Sequence, residues 1–225
     1  MTIKYLLLAM SLLLSSNACQ TKTSEKTPIS KASAPTTDKE TPTNLDGLSK
    51  AYFASGCFWC VEAVYESVKG VEESISGYSG GHTDNPTYAS SNTGRTGHAE
   101  AVEIHYDPAV VSFETLVDVY FGSQNITQVN GQGPDRGSQY RSIIFYQNDE
   151  EKAIIDKKVA TLNTELAPKS VAAEVMAFEK FWIGEDYHQN YERLHPTQGY
   201  ILAVSIPRLK RFQEKFPHLL KEEVH

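Results

Sequence analysis

Lys50-Ala51-Tyr52-Phe53-Ala54-Ser55-Gly56-Cys57-Phe58-Trp59-Cys60-Val61-Glu62-Ala63-Val64-Tyr65-Glu66-Ser67-Val68-Lys69-Gly70 changes its hydrophobic period once, at Gly56, and that change sets the kind of fold to expect. Lys50 to Ala54 reads as a short buried strand. From there Val61, Val64, Tyr65 and Val68 recur at helical spacing until Gly70, which suits a helix C-terminus. Cys57 then falls in the first turn of a helix. Unpaired backbone N–H groups and the positive end of the helix dipole favour an anion there, so its thiol is expected to ionise more readily than a free cysteine. Cys60 lies three residues on, on the same helix face, and comes within disulfide reach if the two Cβ atoms approach. On spacing alone the pair also fits two buried hydrophobes. A zinc site would need two further ligands, and the seven histidines form no HxxxH pair and no second CxxC is present. Phe58 and Trp59 are helix neighbours pointing about 100° apart, so both do not easily face one core, and one is expected at a pocket mouth.

The 225 residues, 40% hydrophobic and 22% charged, suffice for one folded domain with a sizeable core, and there is no internal repeat. The net charge of -7 comes with no basic run in the body, which argues against a nucleic-acid partner. The first fifty residues differ in kind. Lys4 precedes the apolar run Tyr5 to Leu14, and Ser15-Ser16-Asn17-Ala18-Cys19 follows with small residues and a cysteine. Residues 1–18 therefore read as an export signal of the lipoprotein type, with Cys19 as the lipidation site. A cleaved signal without lipid is the alternative, because Ser16 and not a leucine stands three before the cysteine. Residues 19–48, rich in Thr, Ser, Lys and Pro, read as a disordered tether. Together they place the folded part outside the cytoplasm, held to a membrane through a lipid anchor.

Beyond the Cys57 helix the periods alternate. A Gly, Ser, Thr, Asn and Pro rich loop spans residues 76–97. A strand from Ala101 to Asp107 follows, then a helix capped by Ser112 and closed by Gly122. A second long loop, residues 123–138, leads to a strand from Tyr140 to Tyr146, a long helix around Ile154 and Val159, and a strand from Val171 to Phe178. Short helical stretches near Asp186 to Leu194 and after Pro207 complete a mixed α/β domain. Loops this long inside one domain are more often functional than idle.

Five motifs occur in order along those segments: Gly56-Cys57-Phe58-Trp59, Gly77-Tyr78-Ser79-Gly80-Gly81-His82 with Asn85-Pro86-Thr87-Tyr88, Gly94-Arg95-Thr96-Gly97-His98-Ala99-Glu100, Gly137-Ser138-Gln139-Tyr140-Arg141-Ser142, and Glu185-Asp186-Tyr187-His188-Gln189-Asn190-Tyr191. In these the chain closely resembles the A-type peptide methionine sulfoxide reductases. The resemblance implies an α+β two-layer sandwich with a mixed, ferredoxin-like sheet flanked by helices and long loops, a catalytic domain over 49–217 and a tail over 218–225. It implies reduction of the S epimer of methionine sulfoxide in oxidised proteins, peptides and free form by a monomer with no metal or organic cofactor. Cys57 matches the family's nucleophile and Glu100 its general acid, which must be buried to stay protonated near neutral pH. Tyr88 and Tyr140 match tyrosines that hydrogen-bond the sulfoxide oxygen, Phe58 and Trp59 an apolar wall for the S-methyl group, and Asp135 an aspartate near the substrate.

Attack by Cys57 would leave a sulfenic acid that condenses with a second thiol, and a thioredoxin-like reductant would reopen the disulfide. Many relatives keep the second cysteine in a C-terminal Gly-Tyr-Cys; here Gly199-Tyr200-Ile201 stands there, and Asn92 occupies another usual cysteine position. Cys60 is thus the resolving candidate. The competing expectation is a cycle on Cys57 alone, with Cys60 as packing. Two other function classes remain open to the residues: a general CxxC thiol-disulfide oxidoreductase, and a non-catalytic peptide-binding lipoprotein.

Overall fold

A computed structural model describes residues 45–222; the export signal, Cys19 and nearly all of the tether lie outside the described residues. The chain runs through β1 (Ser49–Ser55), α1 (Phe58–Glu66), β2 (Val71–Ser79), a one-turn α2 (Tyr88–Ser91), β3 (Ala99–Tyr106) and α3 (Phe113–Gly122). A small hairpin, β4 (Gly131–Gln132) and β5 (Asp135–Arg136), precedes β6 (Ser142–Tyr146), α4 (Asp149–Leu166), β7 (Glu174–Ala177), β8 (Phe181–Ile183), α5 (Tyr191–Leu194) and α6 (Ile206–Lys215). Six strands form one sheet in the order β7-β6-β1-β3-β2-β8. Its inner four strands, with α1 between β1 and β2 and α3 between β3 and β6, repeat the ferredoxin-like βαββαβ path. β1 pairs antiparallel with both β3 and β6, and β2 with β3. β7 adds in parallel at one edge and β8 antiparallel at the other, making the sheet mixed.

β3 lies at the centre and is buried along its whole length, so its residues need no alternation of apolar and polar character. On the helix-covered face, Phe53 stacks on Tyr65 at 5.1 Å between ring centroids and packs against Tyr120 at 5.4 Å. The two buried phenols are satisfied without water: Tyr65 donates to the Leu116 carbonyl and Tyr120 to the Ala54 carbonyl, each at 3.1 Å.

Four strands are not anticipated from the sequence: the hairpin β4–β5, which lies inside the loop expected over residues 123–138, and in the main sheet β2 and β8. β2 is built from Val71-Glu72-Glu73-Ser74-Ile75-Ser76-Gly77-Tyr78-Ser79, in which the inward positions Ser74 and Ser76 are small and polar. Hydrophobic alternation is therefore absent, and the loop expected to begin at residue 76 begins after Ser79. β8 has only three residues and follows a Gly-free turn. The expected tail is also partly structured: Leu220 bridges to Val68 and the Lys221 N–H donates to the Ser67 carbonyl at 3.0 Å, so the packed chain runs past residue 217.

The turn from β1 into α1 depends on Gly56. Its φ of +82° lies in the left-handed region, and a Cβ there would sit 2.5 Å from the Gln132 Cβ of β4. Gly56→Ala is expected to lower unfolding stability by about 2–4 kcal/mol, combining left-handed strain with overpacking, as read from urea denaturation. An unchanged midpoint would show that the turn relaxes freely.

Candidate active site

Because the turn at Gly56 comes where β1 ends, Cys57 is the N-cap residue of α1 and not part of its first turn. Its side chain makes no capping bond. The first free helical N–H, that of Phe58, is taken instead by Glu100 of β3, whose Oε2 accepts it at 3.0 Å. Glu100 is 2% exposed. Burial, reinforced by the charge of Asp135, outweighs the Phe58 hydrogen bond and pushes its pKa up to about 8, so the carboxyl is protonated at neutral pH. An ordinary solvated Glu opening a strand would be ionised.

The expectation that Cys57 ionises easily is corrected by its surroundings. It is buried, and loss of water raises its thiol well above the ordinary value, helped by its hydrogen bond to Cys60. Cys60 is pulled the other way, to about 7, by the Cys57 thiol donating to it and by the Arg208 guanidinium. The pair thus shares one readily lost proton, and the resting charge favours Cys60. The helix terminus does not overcome desolvation here.

Arg208 of α6 is itself buried, and each of its three side-chain nitrogens donates a hydrogen bond. Its Nη1 and Nη2 donate to the Ser55 carbonyl and hydroxyl at 2.8 and 2.9 Å, and its Nε to the Ser123 carbonyl at 2.9 Å. These acceptors are neutral, so its charge is left to act on the thiols. Tyr200 completes this side. Its hydroxyl donates to Asp135 Oδ2 at 2.6 Å, and its oxygen lies 3.7 Å from Cys60 Sγ. With the phenol proton committed to Asp135, the sulfur is the donor when Cys60 is a thiol.

Cys57, Phe58, Trp59, Tyr88, Glu100, Asp135, Tyr140 and Tyr200 line one cavity of about 210 Å³. Every sequence-predicted site residue in the described chain reaches it except Cys60, which lies behind Cys57. Phe58 and Trp59 both face it, and their divergent directions are used by different partners. The Phe58 ring packs against His188 with centroids 4.7 Å apart, and Trp59 stacks on Tyr191 at 3.8 Å and 9°. Trp59 Nε1 donates to His188 Nδ1 at 3.2 Å. His188 can accept only while that nitrogen is unprotonated, and burial lowers its pKa and keeps it so.

The tyrosines are held by the segment carrying His188. Glu185 accepts from the Tyr88 N–H at 2.9 Å and from the Tyr78 hydroxyl at 2.8 Å, while Thr87 caps α2 through a capping box. Gln189 doubles as a strand residue, accepting from the Ser76 N–H and donating to the Ser76 carbonyl, both at 2.9 Å. Burial raises the Tyr88 and Tyr140 phenols, so both remain hydrogen-bond donors. Chemically, the cavity offers a sulfur nucleophile, a protonated carboxyl, two phenols and an aromatic wall. Tyr200, Arg208 and His188 were not singled out from the sequence; the tyrosine of Gly199-Tyr200-Ile201 stood beside the missing cysteine and carried the signal that would have found it. Among the described residues no cluster of three or more His, Cys, Asp or Glu side chains is arranged to hold a metal.

Residues 49–220 match the family described as peptide methionine sulfoxide reductase. The chain is 46% identical over 172 residues to the peptide methionine sulfoxide reductase MsrA of Pasteurella multocida, covering 76% of this chain and 98% of that protein. It is 44% identical over 185 residues to that of Polynucleobacter asymbioticus, covering 82% and 95%. Among solved structures, methionine sulfoxide reductase A of Corynebacterium diphtheriae superposes with a TM-score of 0.62 at 31% identity, covering 68% of this chain and 77% of that one. Reduced Mxr1 from Saccharomyces cerevisiae gives 0.61 at 28% identity, covering 67% and 87%. Fold, site and sequence agree, and the chain belongs to the A-type peptide methionine sulfoxide reductases.

Proposed function

We propose that the protein reduces the S epimer of methionine sulfoxide in proteins, in peptides and as the free amino acid, with Cys57 as nucleophile, Cys60 as resolving thiol and a thioredoxin-like protein as final reductant. The observation that carries this reading is the buried, protonated Glu100 facing the cavity that Cys57, Phe58, Trp59, Tyr88 and Tyr140 line. The S-methyl group lies against Phe58 and Trp59, and the sulfoxide oxygen accepts from Tyr88 and Tyr140. As the Cys57 sulfur bonds to the substrate sulfur, Glu100 gives its proton to the oxygen, whose growing negative charge the phenols stabilise. The oxygen, now a hydroxyl, then passes from the substrate sulfur to the Cys57 sulfur as the bond between the two sulfurs breaks; methionine leaves, Cys57 is left as a sulfenic acid, and the proton lost by the Cys57 thiol goes to Glu100. The Cys60 thiolate, favoured by Arg208, then attacks the Cys57 sulfur; the S–O bond breaks, the oxygen takes a proton from Glu100 and leaves as water, and a disulfide forms.

Epimer choice is tested by turnover of purified S and R sulfoxide peptides: activity on S is expected, and activity confined to R overturns the reading. Cys60→Ser separates the two cycles considered above. A single turnover should proceed at the wild-type rate and leave a persistent Cys57 sulfenic acid, while steady-state turnover with a thioredoxin-like donor falls on the order of 10-fold or more. Unchanged steady-state turnover would favour the cycle on Cys57 alone. Export through residues 1–18, lipidation at Cys19 and a membrane-held extracytoplasmic location belong to the same proposal and rest on the sequence pattern alone; metabolic labelling with a fatty acid, lost in Cys19→Ser, tests them.

A further inference from the structure

The two thiols open onto different cavities. The substrate cavity is lined by Cys57 and not by Cys60. On the other side lies a larger groove, about 680 Å³, lined by Cys60 and not by Cys57. Its charged lining is Arg208, Arg211 and Lys215, successive positions on one face of α6, against Asp135 alone. Arg208 is buried at the back while Arg211 and Lys215 are exposed. Asp135 already accepts the Tyr200 proton, so its charge is partly engaged. This is a cationic patch on a protein of net charge -7. Gln124, Gln128 and Gln132 also line it, their amides already hydrogen-bonded within the protein, and the volume is that of a small-molecule site. Cys60 is 2% exposed and lines the inner wall of this groove.

We infer that the groove behind Cys60 is a binding site for a small carboxylate-bearing thiol, a second reductant beside the thioredoxin-like protein, which reduces the enzyme from the side opposite the sulfoxide. The inference rests on the reading above in which Cys57 and Cys60 form a disulfide. The thiolate of the small molecule attacks the Cys60 sulfur, forming a mixed disulfide; the Cys57–Cys60 bond breaks and Cys57 leaves with the electron pair as a thiolate. A second molecule attacks the sulfur of the first, releasing Cys60 as a thiolate and the small thiol as its disulfide. Two thiols are oxidised and one protein disulfide is reduced. Carboxylates of the entering molecule meet Arg211 and Lys215, and its attack returns Cys57 free in the substrate cavity. Sulfoxide and reductant then occupy separate sites and do not compete.

The test uses the full chain, oxidised by one round of sulfoxide and mapped for the Cys57–Cys60 disulfide. It is then mixed with glutathione, which carries two carboxylates, or with cysteamine, which carries none, at equal thiolate concentration, and quenched by acid and alkylation. The expected result is glutathione attached to Cys60, reduction faster with glutathione than with cysteamine by about tenfold at low salt, and loss of that ratio in the Arg211→Glu/Lys215→Glu double variant. The double variant should keep its turnover with neutral dithiothreitol, showing an intact fold and active site. Attachment to Cys57, equal rates with the two thiols, or a ratio unaffected by charge reversal overturns the inference and leaves the Cys57–Cys60 cycle standing. Failure to form the disulfide in the first step overturns both.

Discussion

Cys57→Ser is expected to abolish sulfoxide reduction, a loss on the order of 10⁴-fold or more, while leaving the fold in place. Serine is smaller than cysteine by little and meets the same buried surroundings, so thermal unfolding should move only slightly. Its hydroxyl is far less acidic than a thiol, and an oxygen bonded to the substrate sulfur has no route to a disulfide. The variant should still bind substrate, because Phe58, Trp59, Tyr88 and Tyr140 are untouched. Measured by release of methionine from a sulfoxide peptide, residual turnover within tenfold of wild type would mean that the nucleophile lies elsewhere.

Glu100→Gln should lower the rate of the reductive step by about 10²–10⁴-fold, the usual loss of a positioned general acid. The Gln amide oxygen can still accept from the Phe58 N–H, so the start of α1 keeps its partner. The wild-type rate should fall as pH rises through about 8, where Glu100 loses its proton, and the variant should lack that limb. Stability carries the same signature. An unfolded Glu ionises near 4.3, whereas folded Glu100 holds its proton to about 8. Between those values the folded state binds a proton that the unfolded state has lost, so stability declines with rising pH, at up to about 1.4 kcal/mol per pH unit for this group. Glu62, buried against Ser76 and Asn190 and raised to about 9, acts in the same direction. Glu100→Gln should therefore flatten the decline without removing it. A variant more stable than wild type at pH 9 but not at pH 4 fits; equal pH dependence in both contradicts a buried, protonated Glu100.

The residues that meet at the cavity were more legible in the sequence than the strands that carry them. Short motifs name residues that converge however the intervening chain runs, and Cys57, Glu100, Tyr88 and Tyr140 do meet at one cavity. Strands announce themselves by apolar alternation, and β2 has none because its inward Ser74 and Ser76 are small and lie beneath α1. The acidity of Cys57 was misjudged for a related reason. A position at a helix start can be read from sequence, but the burial that opposes ionisation depends on Tyr88, Tyr140 and Tyr200, brought from three distant segments. Arg208 was invisible in the same way: it lies on a C-terminal helix whose pattern says only amphipathic, and its bonds to Ser55 exist only once α6 has docked.

In the proposed cycle one sulfoxide is reduced on Cys57 and the oxidation passes to Cys60. The most direct measurement is a single turnover of the reduced full chain with an excess of S-sulfoxide peptide, without added reductant, followed by acid quench and peptide mapping. The expected result is one methionine formed per protein and a disulfide joining Cys57 and Cys60, with the protein lighter by two hydrogens. Methionine released with Cys57 left as a sulfenic acid and Cys60 free, or no methionine released at all, would contradict it.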